Sequence, residues 1–125
     1  IFVGLGFRQA VTIKSFENVI HQVYHLTELP GPINALATLD TKALDPALQE
    51  FAAAKRITLI PVSLENLKRQ ITPTQSPAAQ AAYGLGSIAE AAALFAAGNG
   101  SSLIFKRLVS DDKLATFAFA KGSFK

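Results

Sequence analysis

Three short apolar runs, each too brief for a helix and each followed by helix-start chemistry, constrain this chain more than any other feature. They occupy residues 1–5, 35–39 and 57–62. Runs of this length, bounded by turn residues, read as buried strands. After the first, Thr12 is a candidate N-cap, and Ile13, Phe16, Ile20, Val23 and Tyr24 recur at helical spacing. An amphipathic helix is therefore expected over residues 12–27, stopped by Pro30-Gly31-Pro32. After the second run, Asp45-Pro46 is an N-cap and first-position pair that opens a helix over 46–55. After the third, Ser63 caps a short helix over about 64–69. Pro61 inside that run requires an edge strand or a bulge, because proline gives no amide to a ladder.

The second half has a different rhythm. Residues 70–78 carry two prolines and three hydroxyl side chains, so a loop insertion is expected there. Ser87-Ile88-Ala89-Glu90 has the spacing of a capping box, and Gly98 marks the stop of a helix running to about Ala97. Residues 103–105 and 116–120 read as two closing strands. Ser110-Asp111-Asp112 lies in the turn between them, making the pair antiparallel. The order β-α-β-α-β-α-loop-α-β-β predicts an α/β fold whose mostly parallel sheet is covered on both faces. No repeat or internal boundary appears, so residues 1–125 are read as one domain.

Half of the 125 residues are hydrophobic and 17% are charged, which suits a packed core and argues against disorder. Twelve basic and nine acidic side chains leave a net charge of +3. That mild excess favours an anionic ligand without forming a nucleic-acid stripe. With no cysteine, disulfides and thiolate chemistry are excluded. No apolar stretch reaches membrane-spanning length, and residues 1–4 lack the basic start of a signal peptide. A cytoplasmic protein is expected, free of membrane and nucleic-acid partners. The chain starts with Ile1 and holds no methionine, so a short preceding stretch is expected to be missing.

In open parallel sheets, ligands bind beyond the carboxyl ends of the strands. The first strand delivers Gly4, Gly6 and Arg8 there, the second Thr38, Asp40 and Lys42, and the third Ser63. Lys106 follows the fourth strand, and Ser87 begins a helix whose positive dipole end favours anions. Gly4 and Gly6 would let backbone approach a ligand closely. Together with Ser76 in the insertion, these residues suit a ligand bearing several carboxylates. The plainer alternatives are that Arg8 and Lys42 are ordinary surface charges, and that Ser87 and Glu90 simply cap a helix.

Two familiar patterns break down on inspection. Gly4-Leu5-Gly6 begins like a dinucleotide fingerprint, but the third glycine would fall at Gln9, and Asp40 is too distant to serve the ribose. His21 and His25 lie four apart as in a zinc helix, yet Gln22 replaces the general-base glutamate and no third histidine exists. No metal and no cofactor are therefore expected.

Six blocks in order carry a family likeness: Gly4-Leu5-Gly6-Phe7-Arg8, Ala37 to Lys42, Ser76-Pro77, Gly86 to Leu94, Leu103 to Lys106, and Ala118-Phe119-Ala120. The chain resembles the CobE/CbiG C-terminal family of cobalamin biosynthesis. The family turn reads G-x-G-C-R, and here Phe7 stands where it has cysteine. The resemblance implies a three-layer α/β/α sandwich with a mixed, mostly parallel sheet. It also implies work on precorrin or corrin intermediates, with other enzymes of that pathway as further partners. CbiG proteins are associated with opening a δ-lactone on a cobalt-precorrin. Two functional readings follow. One is a hydrolase in which Glu90 or Asp40 acts as general base. The other is a non-catalytic carrier, chaperone or accessory subunit that holds the intermediate.

Overall fold

The computed structural model describes residues 1–8, 11–26, 33–70, 72, 80–81, 87–98 and 100–122; of these, the side chains of 23–26 and 105–107 are left aside. Ser76, the rest of the 73–79 stretch, and Gly84 and Gly86 lie outside the described residues.

The sheet is built from β1 (Phe2–Phe7), β2 (Ala35–Leu39), β3 (Thr58–Val62), β4 (Ser102–Val109) and β5 (Ala115–Lys121). The helices are α1 (Ile13–Leu26), α2 (Pro46–Lys55), α3 (Leu64–Lys68) and α4 (Ile88–Ala97). Strand order is β3-β2-β1-β5-β4. β1, β2 and β3 pair in parallel, whereas β5 runs antiparallel to both of its neighbours. Every strand except β5 thus points the same way, giving the mixed, mostly parallel sheet expected from the element order.

Strand side chains alternate between faces, and the two faces are packed in opposite styles. Val3, Leu5, Phe7, Leu36, Phe117 and Phe119 meet Phe16 and Val19 of α1 and Leu48 and Phe51 of α2. Phe16 is the hub of this layer, with ring centroids 5.5 Å from Phe7, 5.4 Å from Phe51 and 6.1 Å from Phe117. Burying each such ring contributes about 1.5–3 kcal/mol. The opposite face is built around small residues where α4 crosses it, with Leu39 and Val62 packed beside them. Ala37 packs with Ala91 and Ala92, while Ala118 and Ala120 pack with Ala89, Ala93 and Ala97. The helical layers on the two sides make the three-layer sandwich.

Local chemistry sets the element ends. The Asp45 carboxylate accepts the amides of Ala47 at 2.8 Å and Leu48 at 3.4 Å. Ser63 accepts from Asn66 N–H at 3.2 Å and Ser87 from Glu90 N–H at 3.3 Å, as their capping spacing predicts. Gly98 ends α4 at φ +93°. Pro61 sits on edge strand β3, where its missing amide costs no ladder bond.

Three expectations need correction. The first strand outruns the 1–5 apolar run and continues through Phe7, so Gly6 lies inside β1 and not beyond its end. β4 is longer than expected, and irregular pairing between Leu103 and Leu108 accommodates its length. Lys106 therefore lies within β4 and does not follow it. The exit of β2 also holds a 3-10 turn, Lys42–Leu44, that hydropathy patterning does not signal.

Candidate functional site at the carboxyl edge of the sheet

Parallel pairing of β1, β2 and β3 puts the segments after Phe7, Leu39 and Val62 at one edge of the sheet. The start of α4 joins them: a Cβ placed on Gly6 would sit 3.6 Å from Ile88 Cβ and 3.8 Å from Ala89 N. Because β5 returns antiparallel to β1, with Phe7 opposite Ala115, the 110–114 turn lies at this edge too. The Arg8 amide donates to the Leu114 carbonyl at 2.9 Å.

Lys42 connects two of these exits. Its Nζ donates to the Phe7 carbonyl oxygen at 2.6 Å and lies 5.0 Å from the centre of the Phe7 ring. Burial lowers its pKa below the ordinary lysine value, opposed by nearby Asp45. The carbonyl dipole and the electron-rich ring face help this half-buried site hold a cation. One of three ammonium hydrogens is used by Phe7, so the group retains capacity for an anion. Arg8 is exposed at the next position along the same edge.

The remaining candidates divide by accessibility. Thr38 is fully buried and donates its hydroxyl to the Leu5 carbonyl at 2.8 Å, so it braces β2 against β1 beneath the surface. Ser63 and Ser87 use their hydroxyls as caps, and Ser87 is only 3% exposed. Any pull of Ser87 on an anion would come through the dipole end of α4, not through its hydroxyl. Glu90 is fully buried in the first turn of α4. Asp40 is exposed, and its Oδ1 accepts the Thr41 amide at 2.7 Å.

The glycines have a different duty from the one expected. A Cβ on Gly4 would fall onto the Ala89 carbonyl oxygen and 2.5 Å from Ala93 N. Helix α4, not a ligand, occupies the space that Gly4 leaves open. Lys106 is removed from the edge: it lies three positions before the end of β4, about 10 Å along the strand.

Acidic groups at this edge were not anticipated as a set. Asp112 accepts Ser15 Oγ at 2.5 Å, Ser110 Oγ at 2.6 Å and Leu114 N–H at 3.0 Å. The Ser110 and Ser15 hydroxyls and the Leu114 amide lower its pKa below the ordinary aspartate value. Asp111 takes Asn18 Nδ2 at 3.1 Å. The edge is therefore mixed in charge: Arg8 and Lys42 stand at the β1 and β2 exits, and the turn beside them carries Asp111, Asp112 and exposed Lys113. The antiparallel turn was visible in the sequence, but its placement beside β1 required the strand order. No group of three or more potential metal ligands occurs among the described residues. No described helix is long and apolar enough to cross a membrane. A separate groove of about 470 Å³ opens between α1 and the end of α2, lined by Glu17, Asn18, Ile20, His21 and Lys55.

The fold has solved counterparts. CobE, described as a protein from the cobalamin (vitamin B12) biosynthetic pathway, matches with TM-score 0.81 and 24% identity over 95% of this chain and 87% of that chain. Cobalamin biosynthesis protein chiG from Agrobacterium tumefaciens matches with TM-score 0.73 and 27% identity over 98% of each chain. No curated protein matches the sequence. The family described as "Cobalamin synthesis G C-terminus" matches residues 1–120, nearly the whole chain. The ordered sequence blocks, the mixed sheet and this match agree: the chain belongs to the CbiG C-terminal family and to cobalamin biosynthesis.

Proposed function

We propose that this protein binds a polycarboxylate precorrin or corrin intermediate at the carboxyl edge of its sheet. The observation that carries the reading is the Lys42 ammonium, held over Phe7 where the β1 and β2 exits meet, beside exposed Arg8. Such an intermediate is broad, flat and ringed by carboxylates. A guanidinium offers a planar fork for one carboxylate, and a positioned ammonium offers a point charge for another. The dipole end of α4 adds positive potential at the same edge.

The geometry favours holding over chemistry. Glu90 is closed from solvent, and Asp40 is an exposed carboxylate tied to its neighbour's amide. Neither is presented as a base facing an open cavity. The carrier or accessory role is accordingly the reading adopted, ahead of assistance to a δ-lactone opening.

Binding is tested by titrating the protein into a purified corrin polycarboxylate and following the visible absorbance. Arg8→Ala and the Arg8→Ala/Lys42→Ala pair should weaken binding, with a larger loss at low salt than at high salt. Equal affinity of wild type and the double variant would remove this edge as the site. The catalytic alternative is addressed by Glu90→Gln, which keeps a side chain of the same length. Loss of lactone opening in that variant, with binding retained, would overturn the carrier reading.

A further inference from the structure

The 3-10 turn at the β2 exit is held from several directions. Lys42 Nζ ties it to Phe7, the Asp45 amide donates to the Lys42 carbonyl at 3.1 Å, and Gln49 Nε2 donates to the Ala43 carbonyl at 3.2 Å. Ala43 is buried beneath it. Asp45, immediately after it, is committed to capping α2. A turn anchored in this way has little freedom to tuck its next side chain inward. Leu44 is consequently 72% exposed.

That exposure is unusual within this molecule. Among the described residues, Phe95 at 36% is the other exposed large apolar side chain, and it belongs to the second half of α4, which runs away from this edge. A single exposed leucine is ordinary on a protein surface, and what singles this one out is where it stands. Here the aliphatic group is displayed on a fixed turn, two residues from the Lys42 ammonium, at the edge where Arg8 is exposed.

The geometry points to Leu44 as the apolar contact of the ligand site, taking the flat face of a ring whose peripheral carboxylates are met by Arg8 and Lys42. This inference rests on the proposed binding of a corrin polycarboxylate and names how the ring itself is gripped. A macrocycle ringed by carboxylates has two chemically different parts, a charged rim and an apolar face. Cations alone would bind any polyanion of similar size. An aliphatic side chain fixed beside them adds contact that only a ligand with an apolar face can use. Leu44 thereby separates a corrin from a simple polycarboxylate.

The test uses cobyrinic acid, a corrin heptacarboxylate, and citrate as a polycarboxylate without a ring. Leu44→Ala and Leu44→Met are compared with wild type and Arg8→Ala, at low and high salt, by equilibrium titration. Leu44 is exposed, so both variants should keep the wild-type unfolding midpoint. Loss of a buried leucine contact corresponds to roughly tenfold weaker binding. Leu44→Ala should show that loss for cobyrinic acid at both salt concentrations, Leu44→Met should restore most of it, and competition by citrate should be unchanged. The Arg8→Ala loss should instead shrink at high salt. If wild type binds cobyrinic acid and Leu44→Ala binds it equally well, the Leu44 contact is refuted while the charged edge stands. If wild type does not bind cobyrinic acid, the proposed function and this inference fall together.

Discussion

Lys42 Nζ lies 2.6 Å from the carbonyl oxygen of Phe7 and 5.0 Å from the centre of the same residue's ring. A single side chain thus fastens the exit of β2 to that of β1 and leaves a cation at their junction. Lys42→Met keeps the aliphatic stem and removes the charge. It should lower stability by about 1 kcal/mol, less than the roughly 1.5–3 kcal/mol of a fully buried charged hydrogen bond, because the site is only half-buried. Urea unfolding at neutral pH checks this. An unchanged midpoint would mean that the contact does not stabilise the native state.

Gly4 and Gly6 differ in what an added methyl group would meet. At Gly4 it meets the backbone of α4, which cannot move independently of the helix. At Gly6 it meets Thr116 Oγ1 at 2.9 Å, the end of a side chain that can rotate, with loss of its 3.1 Å bond to the Gly6 carbonyl. Gly4→Ala should therefore cost about 3 kcal/mol or more and Gly6→Ala about 1–2 kcal/mol. Thermal denaturation of the two variants should preserve that order, and a reversed order would contradict the close approach of α4 to β1.

Asp112 links stability to pH. Its pKa is lowered in the folded state by the hydroxyls of Ser110 and Ser15 and the amide of Leu114. A carboxylate with a depressed folded pKa contributes stability above its unfolded value, near the ordinary 3.8, and loses that contribution as pH falls through the folded pKa. Wild type should thus exceed Asp112→Asn in stability at pH 7, and the gap should close in strong acid. Urea midpoints measured across that range test the sign. A gap that widens in acid would contradict it.

Asp45 closes the 3-10 turn and opens α2. Asp45→Ala removes the acceptor for two first-turn amides and should cost about 1 kcal/mol. Asp45→Asn retains a capping oxygen and should recover most of the loss, as followed by the urea midpoint. Failure of the asparagine to recover stability would point to a role for the charge beyond capping.

Much of the architecture was legible before any coordinates. Asp45-Pro46, Ser63 and Ser87 announce three helix starts because N-capping depends on residues adjacent in the chain. Pro61 announces an edge or bulge because its lack of an amide is intrinsic. The five strands and the antiparallel closing pair follow from run length and turn chemistry, and the six ordered blocks suffice for the family. Lys106 was misplaced because the irregular pairing of β4 with β5 lets a strand outrun its apolar signal.

What residue order alone determined was the set of elements, their sequence along the chain and the family, since each depends on local spacing or on the pattern as a whole. Tertiary structure decided which neighbours the exits acquired. The order β3-β2-β1-β5-β4 brings the Asp111-Asp112 turn beside Arg8 and makes the edge mixed in charge. Only the helix seated on β1 shows that Gly4 makes room for α4, and only the anchored turn shows that Leu44 faces outward. These are contacts between residues far apart in the chain, and no local pattern encodes the distance between two groups that meet only when the sheet is assembled.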